Sequence, residues 1–204
     1  MSQSTILRDK VKDHLLSQIE NGELKVGRTI NLAALSRTIG ISVTPIREAL
    51  SQLEQARVIN AVPNRGFVVT NLSRTEAGNL YETIAQLEVM ALESSTFETN
   101  DVAALRAQEK VLQDEKSLNA RFDFHNLLVR NCPNTVLLQT LENLKVRLRF
   151  YEQRLAADAT FFDSANRQNE SIIQAIEQDN IPTAALILKM NWMTVLDHVQ
   201  RKIG

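Results

Sequence analysis

Apolar residues recur at three- and four-residue spacing along most of this chain, a pattern that predicts a mainly α-helical protein. The exception lies between residues 58 and 70, where two short runs rich in valine and isoleucine flank Pro63-Asn64-Arg65-Gly66. Proline, asparagine and glycine in succession favour a tight turn, so these runs predict a β-hairpin with strands at Val58–Val62 and Phe67–Thr70. Thr29-Ile30 is a candidate for a further, very short strand.

Three helices are predicted before this hairpin. The first runs from residue 5 to about 21, and the second follows the candidate N-cap Asn31 and ends at the turn residue Gly40. The third is predicted from residue 43 to about 56, with Ser42 placed to cap its free N–H groups. Two short helices joined by a glycine turn make a helix-turn-helix, and the hairpin after them is its wing.

The chain after residue 72 is helical in character throughout. Ser73-Arg74-Thr75-Glu76 matches a capping box and predicts a helix start. We therefore expect a winged helix-turn-helix domain at residues 1–72 and an all-helical domain at residues 73–204. Six helices are predicted in the second domain, at about 73–95, 101–115, 118–131, 135–157, 163–178 and 182–202. A helical bundle of this kind is able to enclose a cavity between its helices.

Charge is nearly balanced over the 204 residues, with 23 basic against 24 acidic groups, and gives no global signal for nucleic acid. It is uneven along the chain. Residues 1–72 hold 9 Lys and Arg against 6 Asp and Glu, a net of +3, which leaves 14 against 18, a net of −4, for the rest. The basic part coincides with the predicted helix-turn-helix, although an asymmetry of this size is also common on ordinary surfaces.

Cysteine usage and the N-terminus indicate the compartment. Cys132 is the only cysteine, so no intrachain disulfide is possible and a reducing cytoplasm suits the chain. The polar run Met1-Ser2-Gln3-Ser4-Thr5 has no apolar signal core behind it, and no stretch of about 18 apolar residues follows elsewhere. We expect a soluble, cytoplasmic protein that does not enter a membrane.

Two motifs carry a family resemblance. Ser42-Val43-Thr44-Pro45-Ile46-Arg47-Glu48-Ala49-Leu50 in the third helix and Asn64-Arg65-Gly66-Phe67-Val68-Val69 in the wing resemble the GntR family of bacterial transcription regulators. The helical remainder is similar to the effector domain of the FadR branch, the FCD type, through its helix pattern and through Phe124-His125 followed by Asn131-Cys132-Pro133-Asn134. Six helices, where most of that branch has seven, are typical of its VanR-like subgroup.

The resemblance implies a homodimer whose recognition helices enter adjacent major grooves of a partly palindromic, double-stranded operator. A small molecule in the helical domain would change the spacing of the two heads. Half-sites about one helical turn apart, roughly 34 Å, fit such two-fold symmetry. The DNA-contacting positions of the family fall here on Ser42, Thr44, Pro45, Arg47, Arg65 and Gly66.

Simpler roles exist for these residues, and two positions depart from the family pattern. Arg47 is also placed to pair with Glu48 or Glu54 on an exposed helix face. Val43 stands where the family very often has arginine, and Ala33 stands where several members place another. The departures predict fewer direct guanine contacts and more reliance on thymine methyl groups and DNA shape.

A metal site is not expected in the helical domain. Many proteins of the FadR branch hold a divalent ion with an aspartate four residues before a histidine on one helix and two histidines from later helices. His125 matches here, but the position four residues earlier is Arg121, a cation that repels a metal. The later positions fall on Asn169 and within residues 191–193, where no histidine stands. The sequence therefore predicts neither a metal nor another cofactor.

The same positions are candidates for an organic-ligand pocket. Arg121, His125 and Asn169 would line it, and Arg149 and Tyr151 on the following helix are further candidates. Because a guanidinium group binds carboxylates well, an organic acid is a suitable effector. An ordinary place in the bundle or on its surface is the alternative for each of these residues, and it is the more frequent one for an arginine on a helix.

The sequence thus favours a DNA-binding regulator, in particular a repressor, whose operator affinity is modulated by a small organic ligand in the helical domain. The alternative is an effector-independent DNA-binding regulator whose helical domain only dimerises or contacts protein partners. An enzyme is disfavoured because Cys132 precedes Pro133 with no adjacent histidine, and no phosphate loop or paired catalytic carboxylates stand in the sequence.

Overall fold

A computed structural model of the chain describes residues 3–20, 23–25, 27–55, 57–70, 73–152 and 158–202. Two compact units are present, one formed by residues 1–72 with 149–154 and the other by residues 73–148 with 155–204. The described part is mainly α-helical with one two-stranded sheet, which confirms the predicted fold class. Residues 21, 22, 56, 71 and 72, where the ends of two predicted helices and the expected domain boundary fall, lie outside the described residues.

The first unit contains a three-helix head and a hairpin: α1 (Gln3–Glu20), α2 (Leu32–Ile39), α3 (Val43–Gln55), β1 (Ile59–Val62) and β2 (Gly66–Val69). Both α1 and α2 pack against α3, which lies at the centre of this unit. Its small core is made of fully buried aliphatic side chains, among them Val11, Leu15, Ile46, Leu50 and Leu53. Ile46, Leu50 and Leu53 all lie on α3, so replacing its apolar face with polar residues would unfold the unit.

The turn between α2 and α3 is fixed by local hydrogen bonds. Asn31 caps α2, since its Oδ1 accepts a hydrogen bond from the N–H of Ala34 at 3.0 Å. Gly40 ends the helix in the left-handed region with φ of 67°, and its N–H donates to the carbonyl of Ser36 at 3.0 Å. The Ser36 hydroxyl then donates to the carbonyl of Ile41 at 2.7 Å. The predicted helix-turn-helix is confirmed.

The wing is an antiparallel hairpin in which Ile59 pairs with Val69 and Val62 with Gly66. The first strand begins one residue later than predicted and ends at the predicted Val62, and the second is displaced by one residue, within the usual uncertainty of element ends. Thr29 forms an isolated bridge with Val68 where a very short strand was predicted, although no strand is assigned there within the described residues. The wing is thus tied to the segment before α2.

The second unit contains seven helices within the described residues: α4 (Arg74–Glu93), α5 (Thr99–Glu115), α6 (Leu118–Val129), α7 (Thr135–Glu152), α8 (Ala159–Asn166), α9 (Asn169–Glu177) and α10 (Ile181–Lys202). The last residues of α7, from 149 onward, are grouped with the first unit. The predicted end of α7 at residues 153–157 lies outside the described residues. Helices α4 and α10 form the largest contact in this unit, and α8 and α9 both pack against α10.

The prediction of six helices is wrong, because the segment predicted as one helix at 163–178 is two. Asp158 caps α8 by accepting from the N–H of Thr160 at 3.0 Å, so the first helix begins earlier than expected. It ends at Asn166, and α9 starts three residues later. No glycine or proline marks this break in the sequence. The helix count therefore gives no support to the VanR-like subgroup.

Helices α4 and α10 run antiparallel. The side-chain amide of Gln200, near the end of α10, donates to the carbonyl of Arg74, at the start of α4. Ser73 caps α4 as predicted, because its Oγ accepts from the N–H of Glu76 at 3.1 Å. The Glu76 carboxylate forms an ion pair with Arg147 on α7. None of the helices in the described residues has the length and apolarity to cross a membrane.

Candidate DNA interface and buried polar network

One face of α3 is buried and the other is open to solvent. With 3.6 residues per turn, Ile46, Ala49, Leu50 and Leu53 turn inward together, and each is almost completely buried. Four of the six residues predicted to contact DNA lie along the start of the same helix on its open side. Ser42, Thr44 and Arg47 are exposed, and Pro45 is half-buried. The unit therefore presents a polar helix edge of the kind that enters a major groove.

Arg47 does not form the ion pair that was its simplest alternative role. Within the described residues, neither Glu48 nor Glu54 lies within ion-pair distance of its guanidinium group. Glu54 instead accepts a hydrogen bond from the N–H of Ala61 at 3.0 Å, which joins the end of α3 to the wing. Arg47 is thus an exposed cation on the open edge of the helix, available for a phosphate or a base edge.

The tip of the wing is also exposed. Asn64, Arg65 and Gly66 all face solvent, and the N–H of Arg65 closes the turn on the carbonyl of Val62 at 3.0 Å. Gly66 has φ of 80°, a left-handed value that favours glycine over any residue with a side chain. Both predicted wing residues therefore lie in the same unit as the α3 edge. Val43, at 38% exposure, places an apolar side chain on that edge where arginine is frequent in the resembled family.

A buried polar network lies at the centre of the second unit, around Glu88 of α4. Its Oε2 accepts hydrogen bonds from His125 Nδ1 at 2.7 Å and from Trp192 Nε1 at 2.6 Å. Its Oε1 lies 3.0 Å from the Lys145 ammonium group. The other ring nitrogen of His125, Nε2, accepts from Arg121 Nη1 at 2.5 Å. Four helices thus supply one connected set of polar side chains, all at most 2% exposed.

Aromatic contacts hold the same network in place. The rings of His125 and Trp192 have centroids 4.3 Å apart and are tilted by 37°. The Arg121 guanidinium carbon lies 4.6 Å from the centroid of the Trp192 ring, in the position of a cation–π contact. The Lys145 ammonium group donates to Asn126 Oδ1 at 2.8 Å. Burial of these charges is tolerable because each has hydrogen-bonding or ionic neighbours inside the fold.

Burial and neighbouring charges separate the pKa values of the two central groups. Desolvation by burial lowers the pKa of His125 from 6.5 to about 4, outweighing its attraction to Glu88. Desolvation acts in the opposite direction on Glu88, but His125 and Lys145 hold its pKa down at about 2. At neutral pH Glu88 is therefore charged, and His125 is a neutral ring that donates through Nδ1 and accepts through Nε2.

The network does not suit a divalent ion. His125 Nε2, which a metal would need as a ligand, already accepts from Arg121, and Nδ1 faces Glu88. The guanidinium group therefore stands where a metal would have to approach, and it carries a positive charge of its own. The hydrogen bonds of His125 therefore oppose metal binding, as does the charge of Arg121. Both residues are instead part of a hydrogen-bonded core.

The predicted ligand residues divide between the two units. Arg121 and His125 lie together in the network, and Asn169 is buried at the start of α9 in the same unit. Arg149 and Tyr151 are grouped by their contacts with the first unit.

Sequence reasoning missed Glu88, Lys145 and Trp192 as members of the network. The sequence placed one matching position only within residues 191–193. Asn191 in this range is completely buried, and its side-chain amide donates to the carbonyl of Ala165 at 2.6 Å. Among the described residues, Oδ1 of Asn169 and Oδ1 of Asn191 are buried without a hydrogen-bond donor. Glu88 could have been found from the sequence as a charged residue at a core position of α4. Because such residues are buried only when they are paired, it predicts a buried polar partner.

Comparison with known families matches both parts of the chain. Residues 7–69 match the family described as bacterial regulatory proteins, gntR family, and residues 79–191 match the FCD domain. The second match covers more than half of the chain.

Individual relatives agree. The chain is 24% identical to the HTH-type transcriptional repressor GlaR of Escherichia coli K12, over 93% of this chain and 94% of that protein. It is 29% identical to the HTH-type transcriptional regulator YdhC of Bacillus subtilis strain 168, over 68% of this chain and 66% of that protein. The solved structure of McbR/YncC from E. coli shares the fold, with a TM-score of 0.81 at 20% identity and full coverage of both chains.

Proposed function

We propose, from the premise that this chain belongs to the GntR family of bacterial regulatory proteins and carries an FCD domain, that it is a cytoplasmic transcription repressor controlled by a small organic ligand. The observation that carries the DNA-binding part is the exposed α3 edge, on which Arg47 has no ion pair within the described residues. We propose repression and not activation because one relative, which matches over almost its whole length, is named a repressor.

The α3 edge is proposed to enter the major groove of double-stranded DNA. Arg47 suits the bidentate contact to O6 and N7 of guanine, and Ser42 and Thr44 suit phosphate or base contacts. Arg65 and Gly66 of the wing would contact the adjacent backbone or minor groove, where an arginine is attracted by the negative potential. Each neutralised phosphate releases counterions, so binding should weaken steeply with salt.

The protein is proposed to act as a homodimer on a partly palindromic operator. A single head has only one recognition helix, so two copies related by a two-fold axis would read two half-sites about one turn of DNA apart, roughly 34 Å. Domains 1–72 and 73–204 are the proposed functional division, with recognition in the first and regulation in the second.

The ligand is proposed to bind in the second unit beside the buried polar network. Asn169 and Asn191 each offer a buried amide oxygen that no described residue satisfies. A small acid with hydroxyl or amino donors would match these oxygens, and its carboxylate would match the cationic groups of Arg121 and Lys145 in the network. If the ligand binds one dimer conformation better than the other, it shifts operator affinity by that difference.

Effector-independent regulation is the second candidate, and one observation favours it. Both ring nitrogens of His125 are already engaged, one with Glu88 and the other with Arg121. A histidine engaged at both ring nitrogens needs no ligand to complete its hydrogen bonds, and the network around it would serve as a rigid core for dimerisation.

Selection of duplexes from a random DNA library, followed by fluorescence anisotropy on the enriched sequence, tests the DNA-binding proposal. Arg47→Ala should weaken binding by about 1 to 3 kcal/mol, the range for one base contact. Lys110→Ala, which removes an exposed positive charge from α5 of the other unit, is the matched control and should leave binding nearly unchanged. Equal affinities for the wild type and Arg47→Ala would exclude the α3 edge.

Thermal unfolding with a panel of small organic acids tests the ligand proposal, because a ligand specific to the folded state raises the melting temperature. A compound that stabilises the wild type should lose its effect in Asn169→Ala. Silence of the whole panel, together with operator binding that no compound changes, would favour the effector-independent regulator.

A further inference from the structure

An apolar surface lies across α4 and α10 of the second unit. Met90 of α4 and Leu186 and Met190 of α10 are between 46% and 61% exposed, and they are three of the six large apolar residues found exposed among the described residues. Leu87 of α4 and Met193 of α10 are each half-buried. The antiparallel packing of the two helices brings the carboxyl half of α4 beside the first half of α10, so these residues form one apolar face, called here the α4–α10 face.

A groove of about 580 Å³ runs along this face. Its apolar lining consists of Leu87, Met193 and the buried Ala85, and the uncharged polar residues Thr83 and Gln86 also line it. One wall carries the carboxylate of Glu82 on α4, and the other carries the ammonium group of Lys189 on α10. Both residues are exposed, and within the described residues neither forms an ion pair. An apolar lining between two walls of opposite charge is the composition of an interface core with a polar rim.

We infer that the α4–α10 face is where two copies of this chain associate, which rests on the proposed homodimer and assigns its interface. The charges favour a second copy as occupant over an unrelated protein. A two-fold axis parallel to the helices places α4 of one copy against α10 of the other, and each copy then sets its negative wall against the positive wall of its partner. The same contact occurs twice, as an isologous interface requires.

Met190→Glu tests the apolar part of the face. At half exposure this side chain contributes little to the core of one chain, so the full-length variant should still fold, but a carboxylate at the centre of a dry interface is strongly unfavourable. Sedimentation equilibrium should show the dimer dissociation constant rising at least about tenfold. Val136→Glu is the matched control, because Val136 is 73% exposed on α7, outside the face, and should leave the constant unchanged.

Exchange of the two charges tests the pairing itself. Glu82→Lys alone and Lys189→Glu alone each place like charges on facing walls, so each variant should dimerise at least about tenfold more weakly than the wild type. An equimolar mixture of the two single variants should form heterodimers at close to wild-type affinity, because every facing pair is again of opposite sign. A structural role within one chain would not be rescued by mixing.

The outcomes separate this inference from the proposed function. A wild-type dimer that all three substitutions leave intact, or a mixture that stays as weak as its components, would overturn the α4–α10 face and leave the proposed homodimer standing. A wild-type chain that is monomeric at every concentration would overturn both. Operator binding through Arg47 is measured independently of either result.

Discussion

Replacement of His125 by asparagine should remove a specific part of the pH dependence of stability. In the unfolded chain this histidine takes up a proton near pH 6.5, whereas in the folded protein its burial lowers the pKa to about 4. Between these values the unfolded state binds more protons, so the free energy of unfolding falls as pH is lowered. Below pH 4 the loss is complete, and above pH 6.5 the group has no effect.

The magnitude follows from the two pKa values. At about 1.4 kcal/mol for each factor of ten, the complete effect is about 3 kcal/mol, and between pH 8 and pH 5 about 2 kcal/mol of it is lost. Because His125 is 1% exposed, solvent screening does not reduce this figure much. Glu88, with a pKa of about 2 against 4.5 unfolded, adds its own loss only below about pH 4.5.

Urea unfolding followed by Trp192 fluorescence provides the assay. Trp192 is the only tryptophan, and its ring lies 4.3 Å from that of His125, so the signal reports the unit that contains the network. His125→Asn keeps an N–H donor towards Glu88 but cannot titrate. The stability difference between wild type and variant should shrink by about 2 kcal/mol from pH 8 to pH 5, at one fixed protein concentration. A difference that stays constant across this range would refute the neutral, buried histidine.

Further predictions concern the head. Arg65→Ala should lower operator affinity similarly for all sequences and reduce the slope of log affinity against log salt by about 1, measured by anisotropy at several salt concentrations. An unchanged slope would remove Arg65 from the interface. Gly40→Ala should destabilise the head by about 1 kcal/mol in thermal unfolding, because φ of 67° is unfavourable for alanine while no atom lies within 4 Å of the added methyl group. Undiminished stability would show that the turn relaxes freely.

Local signals explain why the head was predictable from the sequence. Asn31 and Gly40 fix the ends of α2 through bonds to residues three or four positions away, and the turn before Gly66 contains its own conformational preferences. The start of α4 at Ser73 was predictable for the same reason. The ends of a helix or turn can be predicted from a short stretch of sequence when the hydrogen bonds that fix them are made within that stretch.

Long-range contacts explain what the sequence did not reveal. Glu88 joins His125, 37 residues away, and Trp192, 104 residues away, so no local pattern connects them. The break between α8 and α9 has no glycine or proline, and both helices pack on α10, which is distant in sequence from the start of α8. The predicted DNA and ligand residues remain predictions, although the exposure of Thr44, Arg47 and Arg65 is what DNA contact requires.

Site-specific crosslinking tests the central claim, contact of the α3 edge with duplex DNA, most directly. Thr44→Cys introduces an exposed thiol at that edge, and the natural Cys132 is buried. Mixed with a selected operator that carries a thiol tether on a major-groove base, this variant should form a disulfide-linked complex in high yield. Lys110→Cys, exposed on α5, is the control and should not. Crosslinking that is no better from position 44 than from position 110 would contradict the account.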